Sequence, residues 1–271
     1  MVGWIDEWWL RLLLGLVGSS AIGLLAYRLR SLSKSGAISA IVMGTGFVTL
    51  GEPIWITLLI VFFATSTGWS KWKRKHRAKA KAEQKYEKSG QRDARQVWAN
   101  GGFGLLLCLL NACWPHEIWL FAYIGVMASV NADTWATEIG SLSRSAPRSL
   151  ITGQVVEAGT SGGVTWLGNA AAMGGAACVG LAAAIWHDSL HVVWLATAAG
   201  FIGAYVDSLL GATLQAMYRC RSCGTETERM YHCSSITEPL RGWAFLNNDR
   251  VNMISSVIAG AVAALVGGFL L

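Results

Sequence analysis

Charged side chains are scarce: Asp, Glu, Lys and Arg make up 14% of the 271 residues, against roughly 25% in a soluble domain. With a mean hydropathy of +0.42, that deficit excludes an ordinary water-soluble domain and puts the chain in the membrane class. No cleavable signal is expected either. The N-terminal flank is acidic (Asp6, Glu7) and no small-residue cleavage site follows the first apolar run, so that run reads as an uncleaved anchor. Lys and Arg are missing from the connections around Gly51-Glu52-Pro53, Trp114-Pro115-His116 and His187 to His191.

What is there fits a polytopic transmembrane helical bundle of the all-α class. A spanning helix needs about 20 apolar residues. Candidate spans run over 8–27, 36–50, 53–69, 97–113, 117–132, 162–186, 190–212 and 251–271; several are short, so the count is six to eight, with eight favoured. With the N-terminus outside, 21 of the 22 Lys and Arg fall in the loops after the first, third, fifth and seventh spans, the positive-inside pattern. The exception is Arg11, in the first span. The sequence thus reads as one transmembrane domain over 1–271, with a basic cytoplasmic loop at 70–96 and a cysteine-bearing one at 216–250. The basic excess (pI near 9.1) is a topology signal plus contact with anionic lipid, and calls for no nucleic acid. The expected setting is a multi-pass protein of a prokaryotic plasma membrane, with a homo-oligomer as a candidate assembly.

Lys71 to Arg95 is rich in Lys, Ala, Glu and Gln; it predicts a helix extending from the third span, then a turn at Ser89-Gly90. Ser66 and Ser70 share a helical face beside Lys71, a candidate phosphate contact or a residue snorkelling to the interface. Arg92, Gln96 and Asn100 recur every four residues, predicting one polar face that enters an apolar helix next to Asp93. Polar groups in a bilayer are expensive unless they face the bundle interior. Gly36, Ala40 and Gly44, like Gly168, Ala172 and Ala176, are small-residue faces for helix packing.

The central stretch runs from Asn131 to Gly163. It holds Asp133, Glu138, Arg144, Arg148, Glu157 and the run Gly159-Thr160-Ser161-Gly162-Gly163 between two apolar segments. Carboxylates, arginines and a glycine turn at a membrane surface suit a metal–phosphate group. Magnesium takes one or two carboxylates plus phosphate oxygens and waters. Asp133 and Glu138 are five apart, about 140° around a helix, and reach one ion only if the helix ends or unwinds between them; a helix cap is the plainer role for Asp133. The glycine run precedes an apolar helix and offers an anion site, although no Gly-Lys-Ser/Thr makes it a Walker A loop. Asp207 lies inside an apolar run, on one face with Gly211 and Gln215, and is a metal or proton-handling candidate. Asn248, Asp249 and Asn252 cluster before the last span as site contributors or N-caps.

Cys220 and Cys223 form a C-x2-C pair, followed by His232 and Cys233, a pattern similar to a Cys3His zinc site of structural role. Adjacent His232 and Cys233 rarely share one ion, which leaves the fourth ligand open. A cytoplasmic loop disfavours disulfides. Cys108, Cys113 and Cys178 sit in apolar spans as packing residues.

The order of GAISA at Gly36, FFATSTGWSK ending at Lys71, RQVWANGG ending at Gly102, NADTWATEIG, ITGQVVEAGTSGGV from Ile151, VDSLLGATLQ and NNDRVN resembles the integral membrane family that includes plant phytyl-phosphate kinase and transmembrane protein 19. It is distantly similar to dolichol kinase and phosphatidate cytidylyltransferase, and covers nearly the whole chain. The resemblance implies a magnesium-dependent isoprenoid-monophosphate kinase. Such an enzyme transfers a phosphoryl group, with CTP the favoured donor, to a polyprenyl phosphate such as phytyl phosphate. Asp133, Glu138 and Asp207 would be catalytic and metal-binding. Lys71, Arg92, Asn100, Asn131, Arg144, Arg148, residues 159–163, Gln215, Asn248, Asp249 and Asn252 would bind nucleotide and lipid phosphate. The cysteine knuckle is not part of that pattern, which makes zinc accessory. No lysine follows Lys88, so a cation near the central stretch is Arg144, Arg148, Arg241, Arg250 or one from the basic loop. Nucleotidyl transfer giving a CDP-lipid is the alternative chemistry. A transporter or lipid scramblase would want carboxylates near the midplane and inverted repeats; here the polar groups gather on one side and no repeat is evident. A structural protein whose motifs only cap helices is the third reading.

Overall fold

The structure, a computed structural model, describes residues 7–72, 90–187 and 189–269. The described residues form eight helices: α1 (Trp8–Arg28), α2 (Lys34–Leu50), α3 (Pro53–Trp72), α4 (Ala94–Cys113), α5 (Glu117–Gly140), α6 (Trp166–His187), α7 (His191–Thr213) and α8 (Asn248–Gly268). The helix extension expected between Lys71 and Ser89 lies almost wholly outside the described residues. Gly90, at φ +103°, turns the chain into α4. Six helices (α1, α3, α4, α6, α7, α8) are long and apolar enough to cross a membrane. α2 is shorter, and α5 carries the polar run Asn131–Glu138.

α5 sits at the centre and packs on α3, α4, α6, α7 and α8. Phe121 through Ala132 are all buried. A helix buried on every side belongs in a core, which is how α5 tolerates polar groups that lipid would not. Small residues let neighbours approach: a Cβ on Gly125 would lie 2.6 Å from the Ala259 carbonyl oxygen, and one on Gly200 2.8 Å from the Ala128 backbone. α1 packs chiefly on α2, and its opposite face exposes Leu12, Leu16, Leu24 and Leu25 as a lipid-facing surface. The small-residue face expected on α2 is divided: Gly44 admits Ser19 of α1, whereas Gly36 admits the Arg92 carbonyl.

Exposed tryptophans mark both ends of the bundle, with Trp8, Trp114 and Trp194 at one and Trp72, Trp98 and Trp166 at the other, the arrangement of interfacial belts. Connections at the first end are two or three residues long. Longer ones at the second end carry short strands that the all-α reading did not anticipate: β1 (Arg148–Ser149), β2 (Gly163–Val164), β3 (Met217–Arg219), β4 (Glu226–Thr227), β5 (Tyr231–His232), β6 (Ser235–Ile236) and β7 (Glu238–Arg241). β1 pairs antiparallel with β2, β3 lies between β4 and β7, and β5 pairs with β6.

Candidate functional site

A cavity of about 350 Å³ opens at the second end of the bundle. Ser70, Asp133, Glu138 and Asp207 reach it from the C-terminal parts of α3, α5 and α7, while Gln96, Asn100, Asn169, Asn248, Asp249 and Asn252 reach it from the first two turns of α4, α6 and α8. Three helix N-termini therefore converge on one space, and the positive ends of their dipoles favour an anion there.

α5 remains helical to Gly140, so the unwinding that would bring Asp133 and Glu138 onto one ion does not occur. The two carboxylates face different walls. Asp133 shares its wall with Asp207, whose carboxylate feels the charges of both Asp133 and Glu228 and accepts from Ser255 Oγ at 3.1 Å. Glu138 accepts from Ser70 Oγ at 2.7 Å and sits near Arg92, whose guanidinium pKa is lowered by burial and held up by Glu138. An arginine stays protonated under such opposition, and its guanidinium also lies over the Phe62 ring at 5.6 Å.

The glycine run closes the third wall. Thr160 N–H donates to Glu157 O and Gly163 N–H to Thr160 O, making a tight turn; the N–H groups of Ser161 and Gly162 have no acceptor among the described residues. Ser161 Oγ donates to Gln215 Oε1 at 3.2 Å, and Gln215 Nε2 donates to Glu228 Oε1 at 2.8 Å. Gln215, fully buried, stands behind the cavity and holds two of its walls together.

The expected polar face of α4 is modified. The helix starts at Ala94 under a capping box of Asp93 and Gln96, so Arg92 precedes it and bridges to Leu32, while Asn100 lines the cavity. Asn131 lies deeper and outside the lining: its Oδ1 accepts from Thr65 and Ser66, and its Nδ2 donates to Gly175 O at 2.8 Å. Two residues from Asp133 is about 200° around the helix, which aims Asn131 at α3 and α6. Asn131→Ala orphans these buried partners. The expected result is a loss of about 1–3 kcal/mol in stability, read as a lower Tm in detergent, with unchanged ligand affinity.

Lys71 and Gln215 are also outside the lining. Arg144 is exposed at the rim between Ser143 and Ser145, Arg148 donates to Gly153 O at 2.9 Å, and Arg241 caps α7 through Gly211 O and Ala212 O. Arg250 donates to Phe245 O. Asn247, one residue before the expected trio, is the N-cap of α8. Glu228, Asn169 and Ser208 also line the cavity and escaped sequence reasoning. Asn169, a lone amide at the start of an apolar helix, carried the usual signal of a functional polar residue.

The donor set suits a hard cation. Asn252 Oδ1 is buried with no hydrogen-bond partner, in the same cavity as Asp133 and Asp207. Oxygen donors of this kind match magnesium, which tolerates neither thiolates nor crowded cages.

A second cluster stands in the loop after α7. One ligand atom from each of Cys220, Cys223, His232 and Cys233 lies within 4.8 Å of the others, close enough to hold a metal. The Cys223 backbone, followed by the His232 side chain, draws the Cys220 thiol down to about 6. Cys233, sharing a hydrogen bond with Cys223, is pushed up to about 11. Of the three other cysteines, Cys108 is buried, Cys178 half-buried and Cys113 exposed.

Comparison with known proteins gives the relatives. The family model described as integral membrane protein DUF92 matches residues 17–261. Protein PGR of Arabidopsis thaliana is 29% identical, covering 94% of this chain and 96% of that protein. An uncharacterised membrane protein of Methanocaldococcus jannaschii is 28% identical over 95% of this chain and 94% of its own length. One from Synechocystis is 26% identical over 80% and 75%. No solved structure matches.

Proposed function

The chain belongs to the integral membrane protein family DUF92, and from that premise we propose that this multi-pass protein is a phosphotransferase. It takes a phosphoryl group from a nucleotide, with CTP favoured, and delivers it to a polyprenyl monophosphate such as phytyl phosphate. The observation that carries the reading is one cavity in which Asp133, Asp207 and the unpartnered Asn252 Oδ1 face a glycine turn and three helix N-termini. Its volume of about 350 Å³ falls in the range of small-ligand pockets.

Phosphoryl transfer is mostly positioning and charge stabilisation. Asp133, Asp207 and Asn252 would hold magnesium, which would supply charge neutralisation for the transferring phosphate. The Ser161 and Gly162 N–H groups and the helix N-termini bind phosphate oxygens. Arg92, kept in place by Glu138, neutralises charge at the opposite wall. The acceptor is already an anion at neutral pH, so no strong general base is needed. The prenyl tail lies among the apolar helices with its head at the polar end of the bundle, and the basic loops at that end favour the cytoplasmic face for it.

Purified protein in detergent, given magnesium, CTP or ATP and a series of prenyl monophosphates, tests this directly. Prenyl diphosphate with CDP or ADP is the expected product pair. A CDP-lipid with pyrophosphate moves the protein to nucleotidyl transfer, and no product from folded protein sinks the reading in favour of transport.

A further inference from the structure

The loop between α7 and α8 contains a feature that the transfer chemistry does not use. β5 and β6 form a hairpin in which His232 pairs with Ser235, leaving Cys233 and Ser234 as its two turn residues. Both have positive φ, 49° and 59°. A two-residue hairpin with both central residues left-handed is a type I′ turn, which strongly prefers Asn-Gly. A Cβ-bearing residue there costs about 1–2 kcal/mol, and this sequence places two in succession. That backbone returns the Cys233 thiol to its neighbour: Cys233 Sγ lies 3.3 Å from His232 Nδ1, and Cys223 Sγ lies 3.5 Å from the same nitrogen. With Zn–S about 2.3 Å and Zn–N about 2.0–2.1 Å, the S···N edge of a zinc tetrahedron is about 3.5 Å. The left-handed turn is what lets adjacent His232 and Cys233 serve one ion.

The opposite half of the cluster is built as a knuckle. Gly224, at φ +72°, donates its N–H to Cys220 O, and Cys220 N–H donates to Thr225 O, folding Cys220 and Cys223 toward the hairpin. The surrounding strands are two to four residues long, too short to be stable without a staple. Glu228 lies between the two halves, on the cavity wall and bonded to Gln215.

We propose that Cys220, Cys223, His232 and Cys233 bind one zinc ion, and that this ion pins the hairpin so that Glu228 and Gln215 close the cavity against the glycine turn. Three thiolates and an imidazole in a closed tetrahedron select zinc and give it a structural role. The proposal is independent of the reaction assigned to the cavity.

Metal analysis of the full-length protein purified without chelator is the test. One zinc per chain is expected, lost in Cys223→Ser/Cys233→Ser and kept in Cys113→Ser and His232→Cys, the latter retaining a four-sulfur site. Zinc that survives the double substitution overturns the assignment, as does protein that takes up no zinc. Should the double variant fail to fold, cobalt(II) added to zinc-stripped wild-type protein decides: thiolate-to-cobalt charge-transfer absorption supports the site and its absence overturns it. Limited trypsinolysis reads the pinning. Chelation is expected to speed cleavage at Arg229 at least tenfold while the helices stay intact; equal rates with and without zinc overturn that part.

Discussion

Asp133→Asn is expected to reduce kcat/KM for nucleotide-dependent phosphorylation of a prenyl phosphate by about 10³-fold, roughly 4 kcal/mol of transition-state stabilisation. The substitution preserves volume, removes the charge and exchanges one acceptor oxygen for an NH2 donor. Asp133 and Asp207 share one wall with Glu228 close enough to act on Asp207, and like charges at such range oppose one another unless a cation lies between them. Removing one therefore relieves repulsion in the free protein, so the Tm of Asp133→Asn should equal or exceed that of the wild type. Magnesium should raise the wild-type Tm by mass action and leave the variant unmoved. If Asp133, an interior residue of α5, served only the packing of that helix, the pattern would reverse, with activity kept and stability lowered. Equal activity in the two proteins removes Asp133 from the site.

The split between Asp133 and Glu138 also shows what a sequence can and cannot give. Spacing alone says that residues five apart diverge by about 140°; it does not say whether the helix bends to reunite them. α5 stays helical through Gly140, although its full burial ends at Ala132, and the partner of Asp133 comes from α7, more than seventy positions away. The apolar helices were legible because long apolar runs are local properties. So was the gathering of polar groups at one end, since alternation of spans brings the ends of odd helices to the starts of even ones. Asn131 read as a ligand because it opens the NADTWATEIG stretch that carries the resemblance, yet its amide is taken up by Thr65, Ser66 and Gly175, none of them near in sequence. Glu228 was invisible for the opposite reason: an acid in a polar loop carries no signal until the fold brings that loop to the cavity.

Gly162→Ala is expected to lower kcat/KM by about 10²-fold, chiefly through a raised KM for the nucleotide. Two constraints meet at this residue. Its φ is +81°, and a Cβ there would collide with the Ala212 side chain and lie 2.7 Å and 2.9 Å from the Ala212 Cα and N. Backbone atoms near the C-terminal end of α7 cannot rotate aside, because Arg241 ties the Gly211 and Ala212 carbonyls. The glycine turn must therefore move, taking the Ser161 and Gly162 N–H groups and the Ser161–Gln215 hydrogen bond with it. A displacement of about 1 Å is enough to cost 10²-fold in a positioning enzyme. Gly153 supplies the control: its φ is +67°, and a Cβ there meets nothing within 4 Å. Gly153→Ala carries the same left-handed penalty of about 1–2 kcal/mol, so it should lower Tm while leaving kcat/KM within about twofold. Only at Gly162 is the turn driven off α7, so the difference between the two variants isolates the position of the turn from the strain of its backbone. Wild-type kinetics in folded Gly162→Ala would mean that the turn binds no part of the substrate.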